Sequence, residues 1–180
     1  YKNGQPFKMS KRAGDFISAQ DLLNEVNKDS IRFMMLNRSN DVEIDFDFEK
    51  VKEKTKDNPV FYVHYAYARI NSILRTLKIN FSDQITVDSN TFQPNEYEEK
   101  ILRKVFEWPK IIESAAYKME PHKIPFYLYE LSTLFHSYWS KGNEDSKFRL
   151  IQDGKIKKED SLAYIFLVAI VIKNGMNILG

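Results

Sequence analysis

Pro59-Val60-Phe61-Tyr62-Val63-His64-Tyr65-Ala66-Tyr67-Ala68-Arg69-Ile70-Asn71-Ser72-Ile73-Leu74-Arg75-Thr76-Leu77 decides the fold class. Val60, Val63, Tyr67, Ile70, Leu74 and Leu77 step by three and four, the spacing that keeps apolar residues on one side of a helix. Such a seam needs helical partners, so a packed, mainly α bundle is expected. Pro59 has no N–H to donate. It marks either the start of this helix or a kink in a longer one spanning 48–77. A second stripe, Asn58, Tyr62, Tyr65 and Arg69, lies roughly opposite the seam.

The same period recurs downstream. One helix is expected over roughly 96–107, with Tyr97, Ile101, Leu102 and Val105 on its apolar side. Pro109 opens the next, carrying Ile112, Ala115, Ala116 and Met119. A third begins near Pro121, aligns Ile124, Leu128, Leu131, Phe135 and Tyr138, and ends at Gly142. Residues 78–95 and the charged segment up to Asp160 read as loops. Ser161 starts a final helix whose apolar run, 162–172, is shorter than the about 20 residues a bilayer requires. A buried core helix is the reading.

Upstream, Ser18 and Asp21 form a capping pattern before Leu22, Leu23 and Val26. Asp29 is expected to cap a helix that turns Ile31, Met34 and Met35 inward. Residues 41–48 alternate Val42, Ile44, Phe46 and Phe48 with acids, a strand-like period of two, and Asp45 or Asp47 can cap the next helix. Residues 1–17 read as loop.

Composition narrows the function classes. The chain has 180 residues, room for one domain or one small domain with an appendage. It begins at Tyr1, so it is expected to be cut from a longer polypeptide. A net charge of +2 does not announce a duplex binder, and clusters such as Lys100-Arg103-Lys104 and Lys155-Lys157-Lys158 read first as solvated surface. Without cysteine there is no disulfide or thiolate metal site, and His64, His122 and His136 lie too far apart in sequence to suggest a metal centre. No signal peptide is visible, and a soluble cytoplasmic location is expected.

The sharpest chemical signal is Lys8-Met9-Ser10-Lys11, followed by Arg12-Ala13-Gly14. Two ammonium groups on flexible stems bracket a short turn. They can close over a polyphosphate and neutralise charge that develops as pyrophosphate leaves. The motif resembles the ATP-handling loop of class I aminoacyl-tRNA synthetases. Its extension to Asp15-Phe16, then Asp29-Ser30-Ile31-Arg32-Phe33, Asp45-Phe46-Asp47-Phe48, the Asp57-Asn58-Pro59 helix and Asn174-Gly175-Met176 resemble, in order, the arginyl-tRNA synthetase family.

That resemblance implies two parts. Residues 1–50 would be the end of a catalytic domain, with the loop and a stem-contact region. Residues 51–180 would be an α-helical anticodon-binding domain. The implied parent joins arginine to tRNA-Arg with ATP and Mg²⁺. Lys8 and Lys11 would stabilise the phosphates, and Met9 and Ser10 would shape the loop. The family's His-x-Gly-His motif and arginine pocket are missing from this sequence, so the piece alone is expected to be inactive. His64 stands where the family often has Gln. No membrane partner, no metal site within the chain and a monomer are expected.

The stripe of Asn58, Tyr62, Tyr65 and Arg69 is a plausible single-stranded RNA surface, since aromatic faces stack bases and Arg binds phosphate. Tyr129 and His136 are candidates for the same surface. The competing reading is a second packing face, and it applies to Trp139 as well. The cysteinyl and methionyl enzymes fit the sequence blocks less well. A rival of another class is a free-standing helical module that binds RNA or protein without chemistry.

Overall fold

The computed structural model describes residues 18–42, 46–83, 85–87 and 92–180. The lysine loop of residues 8–11, the residues 12–16 that extend it, and Ile44 and Asp45 of the alternating segment lie outside the described residues.

Two short helices lead, α1 (Ala19–Glu25) and α2 (Lys28–Leu36). Ser18 Oγ accepts from the Asp21 backbone while the Asp21 carboxylate accepts from the Ser18 N–H, the reciprocal cap expected from the sequence. At α2 the cap is Asn27 rather than Asp29. The Asn27 side chain accepts from the Ser30 N–H at 2.8 Å, leaving Asp29 in the first turn. The inward face also differs from expectation. Phe33 is fully buried and Met35 is 45% exposed. Ile31 and Met34 pack instead on a satellite cluster around Val26 and Val51. Phe33 fixes the helix phase because it is buried in the main core, with Leu36 one turn on packing against the same cluster.

The alternating segment forms no strand among the described residues. Val42 lies exposed in a turn, and Asp47 caps α3 (Phe48–Lys52) by accepting from the Glu49 and Lys50 N–H groups. Among the described residues no strand lies beside this segment, whereas the Asp47 cap satisfies two orphan donors at once.

Pro59 is the first residue of α4 (Pro59–Thr76), so the helix starts there and is separate from α3. α5 (Glu96–Tyr117) is a single helix running through Pro109, which was expected to divide it. Pro109 is exposed, so water can satisfy the carbonyl that loses its donor, while Val105, Trp108 and Ala115 stay buried on the other side. α6 (Lys123–Glu144) buries Ile124, Leu128, Leu131, Phe135 and Tyr138 as the periodicity requires.

Gly142 does not end α6 but sits in its last turn. A Cβ there would stand 3.0 Å from the Phe148 carbonyl, so glycine lets the following 3-10 turn (Ser146–Phe148) fold back. A two-residue hairpin, β1 (Ile151–Gln152) and β2 (Lys155–Ile156), follows through Asp153 and Gly154, both at positive φ. α7 (Glu159–Leu179) begins before Ser161 and is longer than its most apolar run. By length and composition alone it is long enough to cross a membrane, yet Tyr164, Ile165, Val168, Ala169 and Ile172 are buried inside the bundle.

α4 and α5 both end with a non-glycine residue in the left-handed region, Lys78 (φ 58°) and Met119 (φ 54°). The 6→1 bonds Ile79 N–H to Leu74 and Glu120 N–H to Ala115 close both turns. Met119 is therefore 75% exposed instead of facing the core.

The long helices alternate in direction, α4 and α6 running one way and α5 and α7 the other. Tyr127 of α6 donates to the Lys104 carbonyl of α5, and Tyr138 donates to Glu98 near the start of α5. α6 and α7 form the central pair, and each packs on both α4 and α5. α2 lies across the end where α7 finishes. Phe33 plugs into the core there, Arg32 Nε donates to the Leu179 carbonyl, and Asn40 donates to the Met119 carbonyl at 3.0 Å.

Among the described residues, one acidic side chain lies wholly within the bundle. Glu98 is fully buried and accepts from the Asn95 N–H (2.9 Å), Tyr138 Oη (2.8 Å), Ser161 Oγ (2.5 Å) and Lys158 Nζ (3.3 Å). It joins α5, α6 and α7 at the end opposite α2. Four donors on one carboxylate are what makes its burial tolerable.

Candidate nucleic-acid interface

The stripe on α4 lies beside α6, and the two helices run parallel there. Asn58 is spent on local structure. Its Oδ1 accepts from the Phe61 N–H, and its amide donates to the carbonyls of Val51 (2.7 Å) and Glu53 (2.8 Å). At 3% exposure it ties α3 to the start of α4 and presents little to a ligand.

The next turn begins the aromatic cluster. Tyr62 sits between His136 (ring centroids 4.2 Å apart) and Tyr129 (5.4 Å), and burial raises its phenol above the ordinary value. Tyr129 Oη donates to the Lys56 carbonyl at 3.4 Å. Tyr65 is 40% exposed, with Phe61 stacked on it at 5.6 Å and His136 at 5.5 Å.

Arg69 links the two helices. Its guanidinium lies 4.2 Å from the Tyr65 ring centroid and 5.3 Å from that of Trp139 on α6. It donates to Tyr65 Oη at 2.7 Å and meets His136 Nδ1 at 3.3 Å. Stacking of a cation on two rings holds the planar guanidinium in one orientation. His136 is 5% exposed and its Nε2 lies 3.1 Å from the Tyr62 carbonyl. Burial, assisted by the neighbouring Arg69 charge, lowers its basicity, against the opposing pull of that carbonyl.

The structure thus brings Tyr62, Tyr65, Arg69, Tyr129 and His136 together and sets Asn58 beneath them. Tyr62, Tyr129 and His136 form the packed floor, and Tyr65 with Arg69 forms the accessible rim. Beyond Arg69 the surface dips into an open groove of about 250 Å³ lined by Arg69, Ser72, Ile73, Thr76, Trp139 and Ile151. Ser72 and Thr76 continue the stripe three and seven residues past Arg69, a spacing present in the sequence. The approach of Trp139 and Ile151 depends on tertiary packing, which no local pattern carries.

The basic cluster on α5 is mostly paired. Arg103 bonds Glu99, and Lys104 bonds both Glu107 (3.0 Å) and Glu130 (2.6 Å). Lys158 of the later cluster pairs with Glu98. Charges neutralised in pairs of this kind leave little net field for phosphates. Among the described residues no group of three or more His, Asp or Glu can hold a metal ion.

The profile of the family described as DALR anticodon binding domain matches residues 63–180. A protein of Pelagibacter ubique named arginine--tRNA ligase is 53% identical over 179 residues, which is 99% of this chain and 31% of the relative. One of the same name from Ruegeria pomeroyi is 46% identical, over 100% of this chain and 32% of the relative. The chain therefore spans about a third of the length of the curated relatives it matches. A crystal structure from Campylobacter jejuni, described as a candidate arginyl tRNA synthetase, superposes with a TM-score of 0.81 at 28% identity, covering 99% of this chain and 37% of that one. The Thermus thermophilus arginyl-tRNA synthetase gives a TM-score of 0.65 at 20% identity, covering 94% and 28%, a likeness of fold.

Proposed function

The chain belongs to the DALR anticodon-binding domain family, and from that premise we propose that it is the part of an arginine–tRNA ligase that grips the anticodon arm of tRNA-Arg. The observation that carries the reading is the Tyr65–Arg69 rim. A half-exposed phenol ring with a guanidinium over it, seated on a packed aromatic floor between α4 and α6, offers both a stacking face and a phosphate donor. Tyr62, Tyr129 and His136 support that rim from below, and Asn58 fixes the start of α4 on which it rides.

Residues 51–180 act as the anticodon-binding domain, and residues 1–50 belong to the catalytic part. Lys8 and Lys11 stabilise the leaving pyrophosphate as arginine attacks the α-phosphate of ATP, with Met9 and Ser10 shaping the turn. Arginine then passes from the adenylate to the tRNA. Mg²⁺ enters with ATP as the substrate complex. The protein works as a cytoplasmic monomer. The alignment of residues across 99% of this chain with a relative named arginine--tRNA ligase supports this reading over a free-standing binding module.

Two measurements test the proposal. The full-length protein should exchange pyrophosphate into ATP only with arginine and tRNA-Arg present. It should also bind tRNA-Arg more tightly than the same tRNA with a changed anticodon. Lys11→Ala should slow exchange far more than it weakens tRNA binding. Equal binding of both tRNAs would remove the anticodon reading, and equal losses for Lys11→Ala would remove the role given to that lysine.

A further inference from the structure

We infer that His136 is a positioning residue that aims Arg69 at the RNA, holding it through one imidazole tautomer. The inference rests on the anticodon-interface reading above. An arginine side chain has donors only, so at the 3.3 Å contact Nδ1 of His136 accepts from the guanidinium. The same ring approaches the Tyr62 carbonyl through Nε2 at 3.1 Å, and a carbonyl only accepts. Both neighbours therefore demand one species, the neutral imidazole with its proton on Nε2.

The ring is 5% exposed and clamped between Tyr62 at 4.2 Å and Tyr65 at 5.5 Å, so it cannot turn to offer its nitrogens the other way. The charged and titratable groups around it are Tyr62, Tyr65 and Arg69 on α4, with Tyr129 of its own helix one ring further out. None of them is an acid that would welcome an imidazolium. Burial and the adjacent guanidinium also disfavour protonation.

Protonating Nδ1 would set a donor and a positive charge against Arg69. The guanidinium would lose its acceptor and swing off the Tyr65 ring. Arg69 is thus presented to RNA only while His136 is neutral, and RNA affinity carries a pH dependence that originates in the protein.

The test measures binding of a tRNA-Arg transcript and of its isolated anticodon stem-loop to the full-length protein across about pH 5 to pH 8. Four forms are compared: wild type, Arg69→Ala, His136→Phe and His136→Asn. Asn carries an acceptor oxygen where Nδ1 stands and does not titrate. Near neutral pH, Arg69→Ala and His136→Phe should each weaken binding about tenfold, and the double variant no further, since both remove one hydrogen-bonded unit. His136→Asn should recover most of the affinity. Wild-type affinity should fall as pH drops below the ordinary imidazole range, while His136→Asn and Arg69→Ala give flat profiles.

Additive losses in the double variant overturn the positioning role. So does an acid-side fall shared by His136→Asn, which would belong to the RNA. If Arg69→Ala binds like wild type, the interface reading itself fails, a result distinct from either. The wild-type pH profile needs no substitution, so a His136→Phe protein that does not fold leaves the decision intact.

Discussion

Replacing Glu98 with alanine should be among the most damaging single substitutions in the bundle. The carboxylate is fully buried and satisfies donors from three helices. Its removal leaves the hydroxyl protons of Tyr138 and Ser161 without their acceptor, although Tyr138 Oη still accepts from the Asn95 amide at 3.2 Å, and removes the carboxylate half of the reciprocal cap with Asn95 at the start of α5. Lys158 is 37% exposed and can turn to water, so it adds little. Two hydroxyls without their acceptor and a halved cap together cost about 4 kcal/mol. That is a large share of the about 5–15 kcal/mol that holds a domain folded.

Glu98→Gln keeps an oxygen for the two hydroxyls but turns a donor toward the Asn95 N–H, and should cost about half as much. Urea denaturation, followed by far-ultraviolet circular dichroism and by Trp108 and Trp139 fluorescence, gives both numbers. A double-mutant cycle adds a sharper check. Tyr138→Phe should destabilise the wild type yet cost much less in the Glu98→Ala background, where its hydroxyl has already lost its acceptor and keeps only the Asn95 amide donor. A loss below about 1 kcal/mol for Glu98→Ala, or strict additivity in the cycle, would refute the claim that this carboxylate organises the three helices.

Two further outcomes rest on packing and on proton linkage. A Cβ on Gly175 would stand 2.7 Å from Leu128 Cδ2 in the core, so Gly175→Ala should destabilise by about 1–3 kcal/mol, although alanine is ordinarily the better helix former. Pairing it with Leu128→Val should recover part of the loss in the same urea assay, and a stabilised single variant would contradict the geometry. His64 and His136 are both held below the usual imidazole value of 6.5, chiefly by burial. The unfolded chain then takes up protons first. The stabilisation from these groups is complete above 6.5, declines as pH falls from there toward their folded values, and levels off below them. Urea midpoints measured against pH should show that decline, and His64→Gln should make it shallower; a slope of the opposite sign would count against burial of the neutral rings.

Much of the fold was legible because helical periodicity is a local code. The seam of α4, the buried face of α6 and the cap at Ser18 come from spacing alone. The errors have local causes too. Pro109 reads as a helix boundary, but an exposed proline costs one hydrogen bond that water can replace, and the buried residues on either side of it hold α5 together. Asn27 and Asp29 are both good caps, and the choice between them fell to Phe33, whose destination is a tertiary fact. Glu98 was hidden for the opposite reason. A first-turn acid reads as exposed, and its partners Tyr138 and Ser161 lie 40 and 63 positions away. In the candidate interface the α4 stripe could be read from one helix. The clamp on Arg69 could not, since His136 and Trp139 arrive on another.

The latches that hold α2 to the end of the bundle, Arg32 on the Leu179 carbonyl and Asn40 on the Met119 carbonyl, both grasp main chain. Every residue type offers that acceptor, so neither Met119 nor Leu179 has to change when its partner does. A search for correlated substitutions would be blind to this joint. It would register Phe33 against its core neighbours and miss the polar half of the docking. Contacts of this type leave a trace on only one of their two positions, and the N-terminal segment would look less firmly attached in any statistical map than it is in space.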